Sequence, residues 1–123
     1  MVKPKNKDNQ NIVKINASGQ TIGRLASKVS YLLMGKNKPF YYPNKMPKTK
    51  VIIENLSDIK FTGKKYDQKK YYHYSGYPGG IKTEKLRDIF EKNKDRLLKN
   101  VIYNMLPKNR LRKLMIKNLI IKK

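Results

Sequence analysis

Two short β-branched runs flank one amphipathic helix pattern at the start of the chain, and this order most constrains the fold. "NIVKIN" (11–16) alternates loosely and suits a strand. After the turn "SGQT", Ile22, Leu25, Ala26, Val29 and Leu33 recur at helical spacing, which predicts a helix over about 22–34. Thr21 is placed to cap it and Gly35 to stop it. "VIIENL" (51–56) then reads as a buried strand and "IKFT" (59–62) as a short alternating one. Strand, helix and strand in alternation imply a small α/β domain whose strands are at least partly parallel.

The second half is expected to hold more helix. Thr83 stands where it would cap a helix with Leu86, Ile89 and Phe90 on its inward face. Another helix starts near Asp95, presents Leu98, Val101, Ile102 and Met105, and ends at Pro107. "NRLRKLMIK" gives one more short helix and "NLIIK" a last strand. The 123 residues suit a single domain, taken as 11–123, behind a polar, mobile lead-in over 1–10 without the apolar core of a secretory signal. The chain holds no cysteine, which excludes disulfides and thiolate metal sites. No apolar stretch reaches bilayer-spanning length.

Charge narrows the partner. Thirty Lys and Arg oppose eight Asp and Glu, a formal net charge of +22. Eight basic residues and no acid lie between Asp8 and Glu54, and nine basic residues and no acid follow Asp95. Such a chain repels itself until a polyanion neutralises it. Nucleic acid fits best, with an anionic membrane surface as the rival. Arg24 and Lys28 sit four apart on the outer side of the first helix. Lys36, Lys38 and Lys45 continue along the proline-interrupted loop "KNKPFYYPNKMPK" (36–48). Singly each is an ordinary solvated charge; together they form a phosphate-tracking surface.

"YYHYSGYPGGIK" (71–82) holds the only histidine. As an active site it is poor. Ser75 is near His73 in sequence, but the nearest acids, Asp67 and Glu84, sit in no catalytic motif, and one histidine without cysteine makes no metal centre. A triphosphate loop is equally weak, because Ile81 separates Gly80 from Lys82. As a binding element every residue has a use. Tyr72, His73 and Tyr74 offer rings for unpaired bases, while Ser75, Gly76, Gly79 and Gly80 allow close backbone approach. Lys82 supplies charge, as do Lys64 and Lys65 upstream. The helix start after Thr83 would add free N–H groups. Alternation should turn one or two of Tyr71, Tyr72, Tyr74 and Tyr77 inward.

Five segments in order, "INASGQTIGRLAS" (15–27), "LLMGKNKPFYYP" (32–43), "FTGKK" (61–65), "YYHYSGYPGGIK" (71–82) and "NMLPKNRL" (104–111), resemble the L13 (uL13) family of large-subunit ribosomal proteins, in its bacterial or organellar form. The resemblance runs from about Ile12 to Ile121. It implies a three-layer α/β/α domain with a small, mainly parallel sheet, basic loops and short C-terminal helices. It also implies no catalysis, no cofactor and no small-molecule or membrane partner. The partners it implies are 23S-type large-subunit rRNA, bound during assembly, and neighbouring ribosomal proteins, first among them bL20. The location it implies is the ribosome of a bacterial cytoplasm, mitochondrion or plastid. By the same resemblance three segments are rRNA-contacting: the loop with Tyr42, the glycine-tyrosine motif, and "LPKNRLRK" with Lys108, Arg110, Arg112 and Lys113.

This chain departs from the family in three places. Arg112 stands where the family usually has glycine, so the turn there is expected to adjust. "KMPKTK" lacks the acidic residue usual before the "VII" strand. The sequence stops at Lys123, where relatives usually run on. Two other functions are compatible with the charge alone: an RNA-processing enzyme acting through His73, and a free regulatory RNA- or membrane-binding module.

Overall fold

The computed structural model describes residues 11–122. The lead-in expected over 1–10 and the terminal Lys123 lie outside the described residues. The frame is the expected small α/β fold, with a three-stranded parallel sheet. β1 (Asn11–Asn16) pairs along its length with β2 (Thr49–Glu54), and β2 pairs with β5 (Leu119–Ile121). The central strand alternates cleanly: Thr49, Val51 and Ile53 are buried, while Lys50, Ile52 and Glu54 are half-buried.

Between β1 and β2 runs α1 (Ile22–Met34), with Leu25, Ala26, Val29, Ser30 and Leu33 turned inward. Ser30 is tolerated there because its hydroxyl donates to the Ala26 carbonyl at 2.7 Å. Thr21 occupies the N-cap position but its side chain makes no capping bond. Its backbone instead forms an isolated bridge with Lys60, and the Lys60 N–H donates to the Gln20 carbonyl at 3.0 Å. Gly35 closes the helix in the left-handed conformation, φ +77°. α4 (Lys94–Met105) packs against α1 and begins at Asn93, whose side chain accepts from the Arg96 N–H at 3.1 Å. Leu98 and Ile102 join the core as expected, Leu97 is buried as well, and Met105 is exposed. α5 (Arg112–Lys117) brings Met115 into the same core before β5.

Sequence reading and structure part between residues 59 and 85. "IKFT" is not a strand; only Lys60 bridges, and Phe61 turns into an aromatic cluster with Tyr66 and Phe90, their centroids 5.1 to 6.0 Å apart. One turn of helix, α2 (Lys65–Gln68), follows. The glycine-tyrosine motif is a β-hairpin: β3 (Lys70–Tyr74) pairs antiparallel with β4 (Ile81–Lys85). Thr83 therefore lies inside a strand opposite Tyr72 and caps nothing. Helix α3 (Leu86–Lys92) starts three residues later, so no free helical N–H groups stand beside Thr83. The physical reason is pairing, since the N–H and C=O groups of 81–85 satisfy those of 70–74 instead of opening a helix.

Candidate nucleic-acid interface

The hairpin has two unlike faces. Residues directly opposite in an antiparallel pair share a face, and neighbours along a strand alternate. Lys70 with Lys85, Tyr72 with Thr83, and Tyr74 with Ile81 therefore form one face. Tyr71 with Glu84, and His73 with Lys82, form the other. On the first face Tyr72, Tyr74 and Ile81 are each more than 60% exposed, and Tyr77 at the tip is 75% exposed. Only Tyr71 of the four tyrosines is partly buried, and that burial raises its phenol pKa above the usual value. Lys69 lies over its ring at 5.8 Å.

The tip is held by backbone bonds. Ser75 N–H donates to the Gly80 carbonyl at 3.1 Å, and Gly80 N–H to the Tyr77 carbonyl at 2.9 Å. A side chain at residue 80 would meet the Tyr77 carbonyl oxygen at 2.9 Å and the Ser75 hydroxyl, so glycine is required there by space.

His73 points to the hairpin's second face, which it shares with a cleft of about 520 Å3 against α4. Arg96, Lys99, Asn100 and Tyr103 line that cleft. Sequence reasoning assigned none of these four a role. The signal was present: they follow Asp95 on the side of α4 opposite Leu97, Leu98 and Ile102. Arg112 joins them indirectly, its guanidinium 3.9 Å from the Tyr103 centroid. Arg112 is the first residue of α5, and Asn55 is the only non-glycine with positive φ among the described residues. The expected adjustment for a missing glycine at 112 is therefore not needed. Arg112 N–H donates to the Asn109 side-chain oxygen at 3.2 Å, starting the helix.

The second basic region surrounds the end of α1. Arg24, Lys28 and Tyr31 are exposed on its outer face, and the Tyr31 hydroxyl donates to the Lys36 carbonyl at 3.3 Å. Lys38, Tyr42 and Lys45 meet around a cleft of about 250 Å3 with Phe40, which is 84% exposed. The Lys45 ammonium lies over the Tyr42 ring at 4.7 Å. Lys36 is exposed at the start of the same loop. Lys64 and Lys65 stand exposed at the head of α2, by the base of the hairpin. Lys108, Arg110 and Lys113 are exposed around the turn into α5.

Asp95 lines the His73 cleft and Glu84 shares the hairpin's second face, while other acids are engaged by cations. Asp67 and Glu91 flank Arg87 at 3.8 and 3.3 Å, and the hydrogen bond and charge of Glu91 raise the Arg87 pKa further. Glu54 meets Lys122 at 3.6 Å. His73 stands opposite Lys82, not an acid, in the hairpin register. Both faces of the ribbon carry rings and cations together: Tyr72 and Tyr74 with Lys70 and Lys85 on one, Tyr71 and His73 with Lys82 on the other.

A sequence model of the family described as "Ribosomal protein L13" matches residues 10–121. The chain belongs to the ribosomal protein L13 family. Relatives in this family include a protein named large ribosomal subunit protein uL13 from Thermotoga petrophila. It is 44% identical over 119 residues, covering 97% of this chain and 79% of the relative. The protein of the same name from Aquifex aeolicus is 44% identical over 85% of this chain and 73% of its own length. That from Deinococcus radiodurans is 41% identical over 87% of this chain and 61% of its own length. The family match spans every described strand and helix, the basic loop and the hairpin included.

Proposed function

We propose that the chain is a structural component of the large ribosomal subunit that binds 23S-type rRNA and stabilises it during assembly. The observation that carries this reading is the 44% identity, over 97% of the chain, to a bacterial protein named as a large-subunit component. The geometry supports the finer part. Cations on α1, on loop 36–48 and around the turn into α5 offset phosphate repulsion where RNA segments converge. Tyr72, Tyr74 and Tyr77 stand clear of the domain on a two-stranded ribbon, where unpaired bases can stack on them at roughly 1–3 kcal/mol each. Gly76, Gly79 and Gly80 keep the tip slim enough to enter between RNA segments. No turnover is involved; the work is charge neutralisation and shape fitting.

The partners in this reading are large-subunit rRNA and adjacent ribosomal proteins, bL20 first among them, in a bacterial-type ribosome. Residues 11–123 act as one rRNA-binding domain. The deciding experiment is sucrose-gradient fractionation of source cells in moderate salt, probing for this chain. Near-stoichiometric cofractionation with large subunits and their precursors is expected. A chain found at the top of the gradient, free of rRNA, would replace this reading with that of a free regulatory RNA-binding module.

A further inference from the structure

The cleft between the hairpin and α4 differs in kind from the rest of the basic surface. The cations of α1 and of the turn into α5 stand on exposed helix and turn surface, and those of loop 36–48 border a smaller cleft of about 250 Å3. Here His73 comes from β3, and Arg96, Lys99, Asn100 and Tyr103 come from α4, so two separate elements border one open concavity. Its volume, about 520 Å3, falls within the roughly 300–1,000 Å3 of small-ligand pockets.

The lining is mixed in a useful way. Arg96 and Lys99 can meet a phosphate. His73 and Tyr103 are flat rings suited to packing on a base or a sugar. Asn100 carries a donor and an acceptor on one rigid group, which matches a base edge and not a phosphate alone. Ile116 adds apolar area from α5. The Tyr103 ring is held by the Arg112 guanidinium at 3.9 Å, so it is ordered before any ligand arrives. One carboxylate, Asp95, lines the same cleft. It disfavours a bare phosphate or polyphosphate there and accepts from an N–H on a base edge.

We infer that this cleft takes a single unpaired nucleotide of RNA, turned out of its helix, with the base against His73 and Tyr103, its edge on Asn100, and its phosphate on Arg96 and Lys99. The inference rests on the RNA-binding reading above and adds to it a defined site. A paired stretch matches the site poorly, because stacking and pairing hide its ring faces and base edges from His73, Tyr103 and Asn100. Paired RNA is left to the exposed cations of α1 and loop 36–48.

The test uses the full chain and two probes, a short single-stranded oligouridine and a fully paired RNA hairpin. Nuclear magnetic resonance follows the His73 ring, the Asn100 amide and the Tyr103 ring, with Lys38 and Tyr42 as reporters of the other surface. Oligouridine should shift the cleft resonances, while the paired probe shifts the loop reporters and leaves the cleft unmoved. The double variant Lys99→Ala/Asn100→Ala, at two exposed positions, should lose roughly tenfold or more in oligouridine affinity with an unchanged melting temperature. If both probes shift the cleft equally, or the variant binds oligouridine as well as the parent, the nucleotide site is wrong. The wider RNA reading then survives on the loop reporters. If neither probe moves either set, that reading falls and the cleft falls with it.

Discussion

The guanidinium of Arg112 lies 3.9 Å from the centroid of the Tyr103 ring, joining the first residue of α5 to the outer face of α4. The contact sets the guanidinium against the ring face where α5 begins. A large side chain fits at this position because the backbone is helical and the guanidinium has a ring to rest on.

Arg112→Ala should therefore lower stability by about 1 kcal/mol, the scale of a partly buried cation–π contact. Arg112→Gly should cost more, because it adds the backbone entropy of glycine in a helix. Thermal unfolding of the two variants checks the order. Equal midpoints for parent and Arg112→Ala would show that the stack contributes nothing.

Gly35 ends α1 at φ +77°, and a Cβ there would meet Pro47 Cβ at 3.0 Å. Gly35→Ala combines left-handed strain of roughly 1–2 kcal/mol with crowding of the loop that carries Lys38 and Lys45. A lower melting temperature is expected together with weaker RNA binding. Weaker binding at full stability, or the reverse, would show that the stop of α1 and the loop's placement are independent.

Lys38 and Lys45 share one cleft with Tyr42. If they meet phosphates, Lys38→Ala/Lys45→Ala should weaken binding to all RNA sequences alike. It should also flatten the salt dependence, by about one unit of logarithmic slope per lysine. Filter binding across a salt series measures the slope, and an unchanged slope removes both residues from the interface.

Tyr71 gives a pH prediction. Burial raises its folded pKa above the unfolded value of 10.0. The folded state thus holds the phenol proton more tightly, and this contribution is fully present below pH 10.0 and lost as pH rises through the folded pKa. Tyr71→Phe, which cannot ionise, should match the parent at neutral pH and lose less stability in alkali. Denaturant midpoints compared across that range decide the matter; parallel curves would contradict it.

Much of this protein could be read locally. The spacing of Leu25, Ala26, Val29 and Leu33 marked the buried face of α1, and Gly35 its end. The run Val51–Ile53 marked the central strand, and the period through Leu98 and Ile102 marked α4. Charge pointed to a polyanionic partner, and five motifs in order pointed to the L13 family. The element readings survive because one-sided burial leaves its period in the residues themselves.

What the tertiary structure alone decided lies where partners are distant in the chain. The pairing of residues 70–74 with 81–85 made a hairpin of a segment that composition shows only as glycine and tyrosine. Phe61 left its apparent strand because Tyr66 and Phe90 offered ring contacts that its own four residues could not reveal. Thr83 became a strand residue for want of unpaired backbone around it. The meeting of His73 with Arg96, Lys99 and Tyr103 depends on how a hairpin seats beside a helix more than twenty residues on. Local periodicity reports which side of an element is buried. It carries no record of which other element comes to lie beside the exposed side, because that is set by packing energy summed over the whole fold.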